Sequence, residues 1–176
     1  SNCIVAYLAP RGIGPTAWNT DEKKQTQIRR RFMMLGQTLD GMRVWDVRRA
    51  IQALQTIDSK MPMSLQGKGQ IAGIVLYASL FEPGIVRLDL WHLPRSHRDE
   101  GPTFLNVMRY LDIPQAVAMA AERSQIRLYQ EDKSGWRFPQ AVAEKMGWPD
   151  NRFQMYTVSA DKQPSAGCPT AEADNP

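Results

Sequence analysis

The stretch Ser64-Leu65-Gln66-Gly67-Lys68-Gly69-Gln70-Ile71-Ala72-Gly73 reads as a strand, a glycine turn and a helix start, a spacing that suits chemistry at a sharp backbone turn. In such a turn the apex side chain is lifted clear of the backbone and the next amide is aimed at a developing oxyanion. A nucleophile is needed at the apex, and Gly69 stands there. The same turn suits an anion, held by backbone amides around Gly67 and Gln70 with help from the Lys68 ammonium. Gly67 and Gly69 with the later Gly73 are too sparse for a dinucleotide fingerprint, and no suitable acidic residue closes a second strand ~20 residues on. His92 and His97, with Asp99 and Glu100, form the one cluster able to shuttle a proton or bind a metal. Their spacing is not that of a ligand pair on a helix, and no third histidine supports it, so they read as a polar loop with no metal or cofactor expected. Ser64, Ser79, Ser96 and Ser134 lack the glycine-flanked turn that exposes a nucleophile. Trp18, Trp45, Trp91, Trp136 and Trp148 offer a platform for stacking a sugar ring, although core or lid packing is the better account of each.

These groups need elements to carry them. Apolar Ile4 to Leu8, ahead of Pro10-Arg11-Gly12-Ile13-Gly14-Pro15, predicts a buried strand and a tight loop. Apolar steps of three and four predict a helix between Gln25 and Ile57, weakened or broken at Gly36 and Gly41. Strands are expected over Met63 to Gln66, Ile85 to Leu90, Gln125 to Tyr129 and Arg152 to Val158. Helices are expected over Ile71 to Phe81, over Phe104 to Arg123 with a new start at Ile113-Pro114, and over Phe138 to Met146. The alternation predicts a three-layer α/β/α domain, a mostly parallel sheet of about five strands with helices on both faces. Residues 1–158 form the domain, and 159–176, without apolar periodicity, read as a disordered tail.

Three stretches together resemble the α/β-hydrolase superfamily, in its acetyl xylan esterase and dienelactone hydrolase branch. They are Val5-Ala6-Tyr7-Leu8-Ala9-Pro10-Arg11-Gly12-Ile13-Gly14, the glycine turn at residues 67–69, and Leu111 to Pro114 followed by the strand into Gln130-Glu131-Asp132. The resemblance implies the C-terminal part of that fold. It places the nucleophile position at Gly69 and the catalytic acid at Asp132 or Glu131. The family's histidine belongs after the last strand, yet no histidine follows His97. Ala9 stands where the family commonly has an acidic residue. The expected function is therefore a hydrolase-like module of a longer, carbohydrate-associated protein with a degenerate serine site. The alternatives are an esterase acting on an acylated carbohydrate or small ester, completed by residues outside this chain, and an interaction domain binding an anion or protein through Gly67, Lys68, Gln70 and His97.

Composition bounds the rest. The 176 residues, 43% hydrophobic, suffice for one core. No apolar run approaches the ~18 residues of a membrane span. The net charge of +4 is interspersed, and its densest run, Arg29 to Arg31, comes without the aromatic interleaving of a nucleic-acid surface, so neither membrane nor nucleic acid is an expected partner. A start at Ser1 suggests a piece of a longer parent, leaving localisation open and allowing a missing N-terminal region or protein partner. Cys3 and Cys168, near opposite ends, predict no disulfide framework.

Overall fold

A computed structural model describes residues 3–18, 21–58 and 61–164. Four strands, β1 (Met63–Lys68), β2 (Ile85–Trp91), β3 (Gln125–Gln130) and β4 (Phe153–Thr157), form one parallel sheet in the order β1-β2-β3-β4. Five α-helices flank it: α1 (Glu22–Met34), α2 (Leu39–Ile57), α3 (Gln70–Ser79), α4 (Ile113–Ala121) and α5 (Arg137–Met146). The α/β class and the parallel sheet are as expected, with four strands rather than five.

The fifth strand was expected at Ile4 to Leu8, which pairs with no strand and leaves Ile4 80% and Tyr7 78% exposed. An apolar run carries no information about whether a neighbouring backbone stands ready to pair, and here none does among the described residues. Cys3 is disulfide-bonded, which corrects the expectation drawn from its distance to Cys168. Sequence separation does not set the distance between chain ends in a compact fold. Of the tail, residues 159–164 are described, with one turn hydrogen bond from Lys162 N–H to the Ser159 carbonyl, 3.0 Å; residues 165–176 lie outside the described part.

Helix boundaries follow capping groups. The long helical stretch divides at Gly36, whose φ of 71° ends the first helix. Thr38 then caps α2, its hydroxyl accepting from the Gly41 amide at 3.0 Å. The helix expected from Phe104 starts only at Ile113. Asp112 is its N-cap and Pro114 lies in its first turn, while Val107–Arg109 makes a single 3-10 turn.

Helix α3 packs on β1 and β2, α4 on β3 and α5 on β4; α3 also touches α4, and α4 touches α5. The three connecting helices thus share one face, as right-handed crossovers between sequentially ordered parallel strands require. α2 packs against α3 rather than forming a second connecting layer. Val44, Val47 and Ile51 of α2, Ile74 and Leu76 of α3, Leu88, Leu90, Ile126 and Leu128 of the sheet, Val117 of α4 and Trp136 make the core. Alternation sends Arg87, Asp89 and Trp91 of β2 and Arg127 and Tyr129 of β3 to the opposite face. There Trp91, Tyr129 and Tyr156 stack in a row, with centroids 4.0 and 5.0 Å apart. Burial among these groups raises the Asp89 carboxyl against the opposing pull of Arg87 and Arg127.

Candidate functional site

Strand β1 continues through Lys68, so Gly69 alone makes the turn into α3. Its φ of 58° with ψ of −132° is backbone that side-chain-bearing residues rarely adopt. The Gly69 amide donates to the Trp91 carbonyl at 2.8 Å, and its carbonyl accepts from the Ala72 amide at 3.0 Å. A Cβ built on Gly69 would meet nothing within 4 Å, so the apex is open. Gly67 serves a different purpose. Its Cβ would lie 2.9 Å from Ala72 Cα and 3.0 Å from Ala72 N, so a bare α-carbon lets the strand end against the helix start.

The flanking residues are engaged. Lys68 Nζ donates to the Lys162 carbonyl at 3.4 Å, and Gln70 Nε2 donates to Asp40 Oδ2 at 3.4 Å. Asp40 is a junction: its Oδ2 also accepts from the Thr103 amide at 2.8 Å, and its Oδ1 pairs with Arg43 Nη1 at 2.9 Å, with both side chains 8% exposed. Arg43 Nε in turn donates to the Arg11 carbonyl at 3.1 Å. Sequence reasoning missed this buried pair. Its only sequence signal was the i, i+3 spacing on a helix, which most often marks a solvated pair.

Because all four strands are parallel, residues following each of them reach one edge of the sheet. Glu131 and Asp132, following β3, therefore lie at the same edge as Gly69, where an acid is expected. Asp132 is committed to its neighbours: it accepts from the Ser134 hydroxyl, from the Ser134 amide at 2.8 Å and from Arg95 Nη2 at 2.9 Å. Those bonds, the Ser134 hydroxyl first, hold its carboxyl below the ordinary range. Glu131 is freer, 61% exposed, with Oε1 3.8 Å from Nδ1 of His92. His92 follows β2 directly, in a left-handed conformation (φ 46°), its amide bonded to the Tyr129 carbonyl at 2.8 Å and its Nε2 buried without a partner. The polar-loop reading passed over this imidazole. Its signal was its place one residue beyond the apolar strand.

His97 is held elsewhere. Its Nδ1 lies 2.7 Å from the Pro102 carbonyl, which only accepts, so Nδ1 bears the proton and Nε2 accepts from the Tyr77 hydroxyl at 2.7 Å. The ring packs against both Tyr77 and Phe104, which also touch each other, and pins the loop before α4 onto α3. Burial raises the Tyr77 phenol, and the Asp112 charge adds to the effect. Asp99 and Glu100 are exposed, and among the described residues no group of three or more histidine, cysteine, aspartate or glutamate side chains could hold a metal. Of the tryptophans, Trp136 and Trp91 are buried and Trp148 is partly so, while Trp18 and Trp45 are about half exposed.

Asp112 completes this loop. Burial alone would raise its carboxyl, but bonds from the Ser96 hydroxyl (2.5 Å) and from the His97 and Ile113 amides (2.8 Å each) outweigh that and hold it below the ordinary value. A depressed carboxylate stabilises the fold above the unfolded value, near pH 4, and that contribution is lost as the pH falls through the folded value. Urea midpoints taken from pH 6 to pH 2 are expected to fall over that window, with a shallower fall in Asp112→Asn and a loss of about 1 kcal/mol at pH 6. An unchanged acid profile in the variant would remove Asp112 from the account.

No family model matches the chain, and no curated protein matches it. Among solved structures the fold is similar to that of a candidate acetyl xylan esterase from Bacteroides fragilis, with a TM-score of 0.59 and 15% sequence identity. The similarity covers 85% of this chain and 45% of that one, so this chain spans less than half of that protein's length. At that identity the likeness concerns the fold.

Proposed function

We propose that this chain is a hydrolase-like module that does not itself turn over esters. The observation that carries the reading is Gly69 at the apex of the strand-to-helix turn, in an open, strained position where an attacking side chain would stand and none exists. Two further placements support it. Asp132 spends its carboxylate on Arg95 and Ser134 rather than on an imidazole, and His97 has both ring nitrogens engaged by Tyr77 and Pro102. An acyl-transfer site needs a nucleophile, a base within reach and an orienting acid.

One observation favours the esterase alternative. His92, with its buried, unpartnered Nε2 and Glu131 beyond Nδ1, is a base candidate at the same sheet edge. The test therefore includes it. Purified chain assayed on 4-nitrophenyl acetate and on acetylated xylo-oligosaccharides is expected to show no saturable hydrolysis above a heat-denatured control. Gly69→Ser is expected to show none either. Saturable turnover by the wild-type chain that disappears in His92→Ala would overturn the reading in favour of a rearranged esterase.

A further inference from the structure

An open cleft of about 570 Å³ lies between the start of α2, the Arg11 loop and the loop ahead of α4, within the size range of small-molecule sites. Its apolar lining comes from Trp45, Met42, Phe104 and Leu105, its polar lining from Arg11, Gln37 and Thr38. We infer that this cleft binds a neutral sugar ring, stacked on Trp45 and hydrogen-bonded along the Arg11 side. The inference is independent of whether the glycine turn carries out chemistry.

Charge selects the ligand class. Arg11 gives its amide (3.1 Å), its Nε (2.8 Å) and its Nη2 to Asp46, and its Nη1 to the Met42 sulfur at 3.4 Å. The pairing with Asp46 raises the guanidinium against its partial burial and, with Arg11's hydrogen bonds leading, lowers the Asp46 carboxyl. Among the described residues Arg11 is the one cation lining the cleft and is already neutralised, and none of them lines it with a carboxylate, which disfavours phosphates, carboxylates and amines alike. Each terminal nitrogen of the fork carries two protons, so protons remain for hydroxyl oxygens, and Gln37 is an exposed amide that both donates and accepts.

Shape selects within that class. Trp45 is 49% exposed, and the Arg49 guanidinium sits 4.5 Å from the centre of its ring, occupying one face of the indole. A ligand with an apolar C–H face and a rim of hydroxyls matches a cleft that offers an indole wall together with an amide and a charge-compensated guanidinium. A purely apolar ligand would strand the Arg11 and Gln37 donors. The walls are also held in place before any ligand arrives. Asp40 binds the Thr103 amide, Arg43 binds the Arg11 carbonyl, and Asn106 takes a left-handed φ of 59° beside Leu105, which is 46% exposed.

The experiment is a titration of the full chain with neutral hexasaccharides of xylose and of glucose, followed by NMR of the tryptophan indole N–H signals and by calorimetry. Binding with a Kd of about 1 mM or tighter is expected for at least one of them. Trp45→Ala should weaken it at least about tenfold, Trp45→Phe should retain most of it, and Trp18→Ala, which changes the exposed tryptophan outside the cleft, should leave it unchanged. Benzoate and adenosine serve as charged and planar competitors. Absence of saccharide binding at 10-fold higher concentration than ~1 mM, binding insensitive to Trp45→Ala in a variant with an unaltered melting temperature, or tighter binding of benzoate or adenosine would each overturn the assignment.

Discussion

Asp40→Ala is expected to destabilise the fold by about 3–5 kcal/mol, because it leaves the Arg43 guanidinium buried without its partner. Both side chains are 8% exposed, and Asp40 does more than neutralise Arg43. It also accepts the Thr103 amide and the Gln70 side chain, so its loss releases the loop ahead of α4 and loosens the first residue of α3 together. Urea denaturation checks the size of the effect, and amide exchange at Thr103 checks its location. Asp40→Asn, which retains an acceptor without the charge, should fall between the wild type and alanine. The double variant Asp40→Ala with Arg43→Met should recover part of the loss, since replacing both members of a buried pair by apolar groups is far cheaper than orphaning one. A single alanine variant within about 1 kcal/mol of wild type would show that water reaches the pair and that its burial does not matter.

The glycine turn gives the second large effect, as a contrast between two substitutions two residues apart. In Gly67→Ala the new methyl would lie 2.9 Å from Ala72 Cα and about as close to Ala72 N, 3.0 Å, and to the Ile71 carbonyl carbon, 3.1 Å. These are backbone atoms, so the strand end and the helix start must separate, at an overpacking cost of about 1–3 kcal/mol or more. In Gly69→Ala the methyl has open space and the cost is conformational alone, about 1–3 kcal/mol for a side-chain-bearing residue held in a sparsely populated region of positive φ. Thermal unfolding of the two variants should therefore rank Gly67→Ala as the more damaging, and only that variant should disturb the amide signals of Ile71 and Ala72 strongly. The reverse order would mean that the turn is looser than its contacts indicate.

The α/β class was legible because strand and helix periodicities alternate along the chain, and those depend on local side-chain pattern alone. The turn at Gly69 was legible for a related reason: two apolar elements flank glycines, and the junction needs both a close approach and a positive φ. Pro114 marked the start of α4 in the same way, through a constraint written into one residue. Strand number was not legible, since residues 4–8 have the composition of a strand but find no paired neighbour among the described residues.

The candidate site divides along the same line. Types and spacing determined that the apex is Gly69, that Glu131 and Asp132 follow a strand, and that no histidine comes after His97. Only the tertiary structure decided which partners those groups take. Asp132 turns to Arg95 and Ser134, His97 to Tyr77 and Pro102, and His92, read as part of a polar loop, comes to the strand ends near Glu131. Asp40 and Arg43, an ordinary i, i+3 pair in the sequence, become the buried link between α2, α3 and the two loops that wall the cleft. The physical reason is range. Turn geometry and periodicity are set within a few residues, whereas the bonds of Arg43 to the Arg11 carbonyl and of Asp40 to Gln70 and Thr103 join positions 30 to 63 residues apart, whose meeting depends on how the crossovers stack the helices on the sheet.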